Sequence, residues 1–205
     1  MTLLILQNEL SCTPGSTLEW CHLRQLDYEI IQASEGVFPD ISTFNLKYDG
    51  VIILGGTMNV DEENLFPWLS KEKEFIHDLL SLSKKTFGIC LGGQLLAEAL
   101  GARVSKNGFS EQGWKTLEVQ KGFDLPQEGK SISVMQWHHY VFEIPSDAHL
   151  AFRGLDWENQ GFFYKDFILA TQFHPEADSE FLKSCFQSLG QEIKEEHEEA
   201  LRALK

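Results

Sequence analysis

The first half of the chain alternates short apolar runs with amphipathic stretches. Residues 3–6 read as a buried strand, followed by a loop around Pro14 and Gly15. Ser16 is placed to cap a helix over 16–25. Residues 28–32 form a second strand, and Val51, Ile52, Ile53 and Leu54, ending at Gly55 and Gly56, a third. Over 67–82 the apolar positions Trp68, Leu69, Phe75, Ile76, Leu79 and Leu80 fall at helical spacing, with Pro67 tolerated at the helix start. A short strand over 86–89 leads into a helix over 91–100, stopped by Gly101. Strands alternating with helices predict an α/β fold: an open, mostly parallel sheet covered by helices on both faces. The second half breaks this rhythm. Residues 114–119, 131–136, 149–153, 161–164 and 167–172 read as closely spaced strands, partly antiparallel, and a long helix begins at Ser179. No repeat, low-complexity tract or linker interrupts the pattern, so residues 1–205 read as one domain.

Composition narrows the function classes. The 205 residues are 42% hydrophobic and 23% charged, enough for a sizeable core. A formal net charge of −14 repels phosphate backbones and anionic headgroups, which argues against a nucleic-acid or membrane partner. Part of the acidic excess, Glu192, Glu195, Glu196, Glu198 and Glu199, reads as a solvated helix face. No apolar run approaches the ~20 residues that span a bilayer. The opening MTLLILQNEL lacks the basic segment and cleavage site of a leader and is expected to be a buried strand. The cysteines, Cys12, Cys21, Cys90 and Cys185, show neither metal-binding nor disulfide spacing; reduced thiols in a cytoplasmic protein without metal are the expectation.

The segment richest in chemistry is Phe87-Gly88-Ile89-Cys90-Leu91-Gly92-Gly93-Gln94. A strand enters at Gly88, Cys90 sits at the turn and a helix leaves through Leu91. Glycines two before and two after a nucleophile permit the sharp strand-to-helix elbow that presents it at the sheet's carboxyl edge. The helix N-terminus favours a thiolate by about 1 kcal/mol, and the Leu91 N–H is free to bind an oxyanion. Taken alone, a cysteine after a strand is as readily a small buried hydrophobe. The second motif is Gln172-Phe173-His174-Pro175-Glu176. His174 follows a strand, and Glu176 is placed to accept its Nδ1 proton and turn Nε2 toward a thiol. Elbow and His-Pro-Glu turn together suggest Cys90 as nucleophile, His174 as base and Glu176 as the group that orients it.

Four blocks carry a resemblance: Gly55-Gly56-Thr57-Met58-Asn59-Val60, the Cys90 elbow, Trp137-His138-His139-Tyr140, and 172–176. Over 48–178 the chain resembles the class I (triad) glutamine amidotransferases, especially free-standing proteins similar to the glutaminase domain of GMP synthase. The resemblance implies a flavodoxin-like sheet, no cofactor, and hydrolysis of the γ-amide of glutamine, or of a similar γ-glutamyl group, through a Cys90 thioester. It further implies an oxyanion hole from Gly56 and Leu91, and substrate contacts from Gly55, Gln94 and His138. Relatives usually carry proline at Thr57 and Trp-His-Gly-Asp where this chain has Trp137-His138-His139-Tyr140, which leaves the chemistry intact and the substrate open. His139 is expected to face solvent or to pack. Adjacent strand residues point to opposite faces, so His138 and His139 do not read as metal ligands. No phosphate-binding G-x-x-x-x-G-K-[ST] loop is present, so released ammonia would pass to a separate synthetase; the alternative is a stand-alone γ-glutamyl peptidase. A cysteine protein of the chaperone and protease type on a similar sheet, and a non-catalytic binding or regulatory module, are the remaining readings. Homo-oligomerisation stays open.

Overall fold

The computed structural model describes residues 1–123, 125 and 127–188. The acidic residues from Glu192 to Glu199, and so the expectation of a solvated helix face there, lie outside the described residues. In chain order the elements are β1 (Thr2–Gln7), α1 (Ser16–Leu23), β2 (Asp27–Gln32), a 3-10 turn (Ala33–Glu35), α2 (Ile41–Lys47), β3 (Gly50–Ile53), α3 (Trp68–Ser81), β4 (Lys85–Ile89), α4 (Leu91–Ala99), β5 (Val104–Val119), β6 (Ser131–Phe142), β7 (Ala148–Arg153), β8 (Asn159–Tyr164), β9 (Ile168–Thr171) and α5 (Ser179–Ser188).

Among the described residues the strands form one sheet in the order β2-β1-β3-β4-β9-β8-β7-β5-β6. The first five in that order are parallel neighbours, and from β9 onward each pairing is antiparallel. The alternating side chains of β1 and β3 divide between two layers, as strand geometry requires. Leu4, Leu6, Val51 and Ile53 meet Phe44 of α2, Leu69, Ile76 and Leu79 of α3, and Leu91 and Leu95 of α4. Leu3, Ile5, Ile52 and Leu54 meet Leu18 and Cys21 of α1 on the other face. Parallel strands buried on both faces read as unbroken apolar runs, which makes their pattern plain in the sequence.

Three local expectations need correction. Ser16 does not cap α1: Gly15 occupies the cap position at φ 51° and makes no side-chain cap bond. A Cβ on Gly15 would lie 2.1 Å from the Glu176 carbonyl oxygen, so the position demands glycine. The freed Ser16 N–H donates to that same carbonyl at 3.0 Å. Helix α2, capped by Asp40 through the Ser42 N–H at 2.8 Å, was not expected, because its sequence buries Phe44 alone. Strands β5 and β6 are far longer than their apolar parts at 114–119 and 131–136, and the Trp137-His138-His139-Tyr140 block lies within β6.

These long strands curl the sheet. Although β6 is four places from β9 in the order, Met135 forms a bridge with His174, whose N–H donates to the Met135 carbonyl at 2.9 Å. Helix α5 closes over this junction through Phe181, Leu182 and Phe186, which pack with Met135 and Trp137. Asp178 caps α5 by accepting from the Glu180 and Phe181 N–H groups at 3.0 and 2.8 Å. No helix among the described residues is long and apolar enough to cross a membrane.

Candidate active site

Cys90 stands at the elbow between β4 and α4 with φ 52° and ψ −107°, a region that side-chain-bearing residues rarely occupy. Its N–H donates to the Thr171 carbonyl of β9 at 2.8 Å, and its carbonyl accepts the Gln94 N–H at 2.9 Å, the first bond of α4. The strain is held in place by close backbone approach. A Cβ on Gly92 would meet the Ile53 carbonyl oxygen at 2.2 Å, so larger residues are excluded at the base of the turn.

His174 sits just beyond β9, 6% exposed, and Glu176 is 2% exposed. The His174 Nδ1–H donates to Glu176 Oε1 at 2.8 Å, which leaves Nε2 for its hydrogen bond with Cys90. Burial alone would lower the proton affinity of His174, but the Glu176 carboxylate and Cys90 outweigh it and hold the imidazole well above its ordinary value. Gln172, fully buried, donates from Nε2 to Cys90 Sγ at 3.8 Å, and the sulfur lies 3.9 Å from the Trp137 carbonyl oxygen.

Cys90, His174 and Trp137 line a pocket of about 360 Å³, within the range of small-molecule sites, with Glu176 and Gln172 set behind them. Gly56, Leu91, Gln94 and His138 contribute to its wall, together with Thr57, Trp137, His139 and Tyr140. Gly55 does not line it; it is set behind, where an added Cβ would meet His174 Cε1 at 3.1 Å and Cys90 Cβ at 3.5 Å. Gln94 donates from Nε2 to the Tyr140 carbonyl at 3.2 Å and to Gln172 Oε1 at 3.3 Å, so its own Oε1 remains to accept from a ligand. His139, expected to face solvent or to pack, is half-buried on the pocket wall with its ring against Tyr140. The Tyr140 hydroxyl donates to Asp61 Oδ2 at 3.2 Å.

Sequence reasoning missed several residues that shape this site. His138 Nδ1–H donates to the Tyr140 carbonyl at 2.9 Å, and its Nε2 lies 3.1 Å from Glu111 Oε2, a carboxylate 3% exposed on β5. Gln160 in turn donates to Glu111 at 2.8 Å, so a buried polar chain fixes the histidine from behind. Cys12 and Cys185 also reach the pocket wall. They are hydrogen-bonded to each other, which raises Cys12 and lowers Cys185 from their ordinary values. No spacing could reveal either group, since each joins elements far apart in the chain.

An open α/β sheet with a cysteine elbow at its carboxyl edge, and a histidine–glutamate pair beyond the neighbouring strand, defines a class of scaffold. Residues 19–186 match the family model for glutamine amidotransferase class-I, and the chain belongs to that family. It is 33% identical over 167 residues to the glutamine-hydrolysing GMP synthase subunit of Thermoplasma acidophilum, covering 78% of this chain and 78% of that protein. It is 26% identical over 163 residues to gamma-glutamyl peptidase 4 of Arabidopsis thaliana, covering 76% of this chain and 64% of that one. The crystal structure of a glutamine amidotransferase from Thermotoga maritima superposes with a TM-score of 0.88 at 26% identity, covering 100% of this chain and 90% of that one.

Proposed function

We propose that this protein hydrolyses the γ-amide of glutamine through a γ-glutamyl thioester on Cys90, and that the ammonia passes to a separate synthetase. The observation that carries the reading is Cys90 on its left-handed elbow, hydrogen-bonded to a His174 whose other nitrogen is bound by buried Glu176 at 2.8 Å. Cys90 Sγ attacks the γ-carbonyl carbon as a thiolate, and the carbonyl electron pair moves to oxygen. The N–H groups of Gly56 and Leu91 stabilise that oxyanion. As it collapses, His174 gives its proton to the departing nitrogen, the C–N bond breaks and ammonia leaves. Water then gives a proton to His174 and adds to the thioester, and the thiolate departs with glutamate released. The likeness to a component of GMP synthase supports a partner that accepts the ammonia.

Labelling with a glutamine-derived electrophile followed by peptide mass spectrometry tests the reading. Modification at Cys90 alone, blocked by excess glutamine, supports it. Modification spread over Cys12 and Cys185, which share the pocket, or no modification at all, counts against it.

One observation favours a second reading, a γ-glutamyl peptidase. Among the described residues no Asp, Glu, Lys or Arg side chain lines the pocket, and the nearby Asp61 carboxylate is bound to Tyr140. A free α-ammonium group gains most from a charged acceptor, so this wall gives glutamine little advantage over larger γ-glutamyl compounds. A His139→Gly, Tyr140→Asp double variant is expected to raise kcat/KM for glutamine relative to γ-glutamyl dipeptides by about tenfold, the worth of one charge-assisted hydrogen bond. An unchanged ratio in the folded variant would remove 139–140 from the account of specificity.

A further inference from the structure

The Gly55–Gly56 turn departs from β3 at Leu54. Two consecutive residues just beyond β1, Asn8 and Glu9, hold it from either side. Asn8, buried, donates from Nδ2 to the Leu54 carbonyl at 3.0 Å, and the Leu54 N–H donates to the Leu6 carbonyl at 3.0 Å. A carbonyl only accepts, so this contact fixes which end of the Asn8 amide faces the turn. Glu9, half-buried, takes the far side. Its Oε2 accepts the Thr57 N–H at 3.0 Å and the Thr57 hydroxyl at 2.7 Å, while its Oε1 accepts the Ser11 hydroxyl at 2.7 Å. One oxygen orients the carboxylate and the other engages the turn.

The peptide between Gly55 and Gly56 lies between these anchors. Among the described residues no group takes the Gly56 N–H. The residue is packed closely all the same, since an added Cβ would meet Leu91 Cδ2 at 3.1 Å and Asn8 Cβ at 3.3 Å. We propose that Glu9 is a positioning residue that anchors the peptide between Gly56 and Thr57, opposite the Asn8 anchor, and so keeps the Gly56 N–H set for the oxyanion. The inference rests on the proposed role of Gly56. With the peptides on both sides tied, the one between them has little room to flip, and preorganisation of this kind is what makes an oxyanion donor effective. Burial would raise the Glu9 carboxyl, but the bonds from Thr57 and Ser11 outweigh it and hold it below its ordinary value. The acceptor is therefore charged, which strengthens the bonds it takes.

The test compares Glu9→Ala with Glu9→Gln, which keeps an acceptor in the same place. Glu9→Ala should lower kcat on γ-glutamyl substrates by about tenfold with KM nearly unchanged, because the oxyanion forms only after binding. That is less than the ~10²–10³ lost when an oxyanion donor is removed outright. Glu9→Gln should recover most of the loss. In a Thr57→Pro background, which has no N–H for Glu9 to accept, Glu9→Ala should cost nothing further. Alkylation of Cys90 by iodoacetamide, a displacement that forms no oxyanion, should keep its wild-type rate in Glu9→Ala. Hydrogen exchange at the Thr57 amide reads the clamp without any turnover: it should be slow in the wild type and in Glu9→Gln, and about tenfold faster in Glu9→Ala. Should exchange respond in this way while no γ-glutamyl substrate turns over, the hydrolase reading fails and the clamp stands. A Thr57 amide indifferent to Glu9→Ala, or an alkylation rate that falls as far as kcat, would overturn the clamp itself.

Discussion

Cys90→Ala and His174→Ala, made singly, are each expected to abolish thioester formation, with kcat falling on the order of 10⁶-fold. The two losses should not add. Without the sulfur no covalent bond forms, and without the imidazole no group beside the sulfur can take and return a proton. The site's geometry makes the pair interdependent: His174 is bonded to Cys90 through one nitrogen and to Glu176 through the other. Single-turnover mass spectrometry of the thioester, alongside steady-state ammonia release, gives the measurement. If the double variant were far slower than either single one, the two residues would be acting separately and the shared mechanism would fail.

The second large effect is expected at Glu176. Replacement by Gln keeps a hydrogen-bond acceptor for His174 Nδ1 but removes the charge, and activity should drop by about 10²–10⁴-fold without vanishing. The pH profile should move as well. Glu176 is the largest influence raising the proton affinity of His174 against its burial. In the wild type His174 therefore stays protonated well above its ordinary value, and activity that needs this proton persists into alkaline solution. Stability follows the same sign: the contribution of the buried ion pair is present in full below about 6.5, the unfolded value, and is lost as pH rises through the higher folded one. In Glu176→Gln the alkaline limb of kcat/KM should shift to lower pH. An unshifted limb would mean that another group sets the charge on His174.

Glu176 also shows how the fold supports its site. Its side chain orients His174, while its carbonyl is held by the Ser16 N–H at 3.0 Å, where Gly15 leaves room for the backbone. The N-terminus of α1 is thus spent on the His174–Glu176 turn rather than on a side-chain cap, which is why capping preference alone assigns Ser16 the wrong role.

The sequence by itself determined the parallel half of the sheet, because residues buried on both faces must be continuously apolar and their helices must carry one apolar stripe. It also marked the Cys90 elbow and the His174–Glu176 turn, since each is a local conformation that depends on glycine or proline within a few residues. It could not show the curl of β5 and β6. The added length of β5, over 104–113, carries few large apolar residues, and pairs with β6 only because the chain returns there. That return decides the pocket. It brings the Trp137 carbonyl to Cys90 across 47 residues and the Tyr140 carbonyl to Gln94 across 46. It also sets Glu111 behind His138, while α5 carries Cys185 to Cys12. Such contacts leave no periodicity or fixed spacing in a sequence, because each side chain satisfies its own strand or helix and meets its partner only when the sheet has closed.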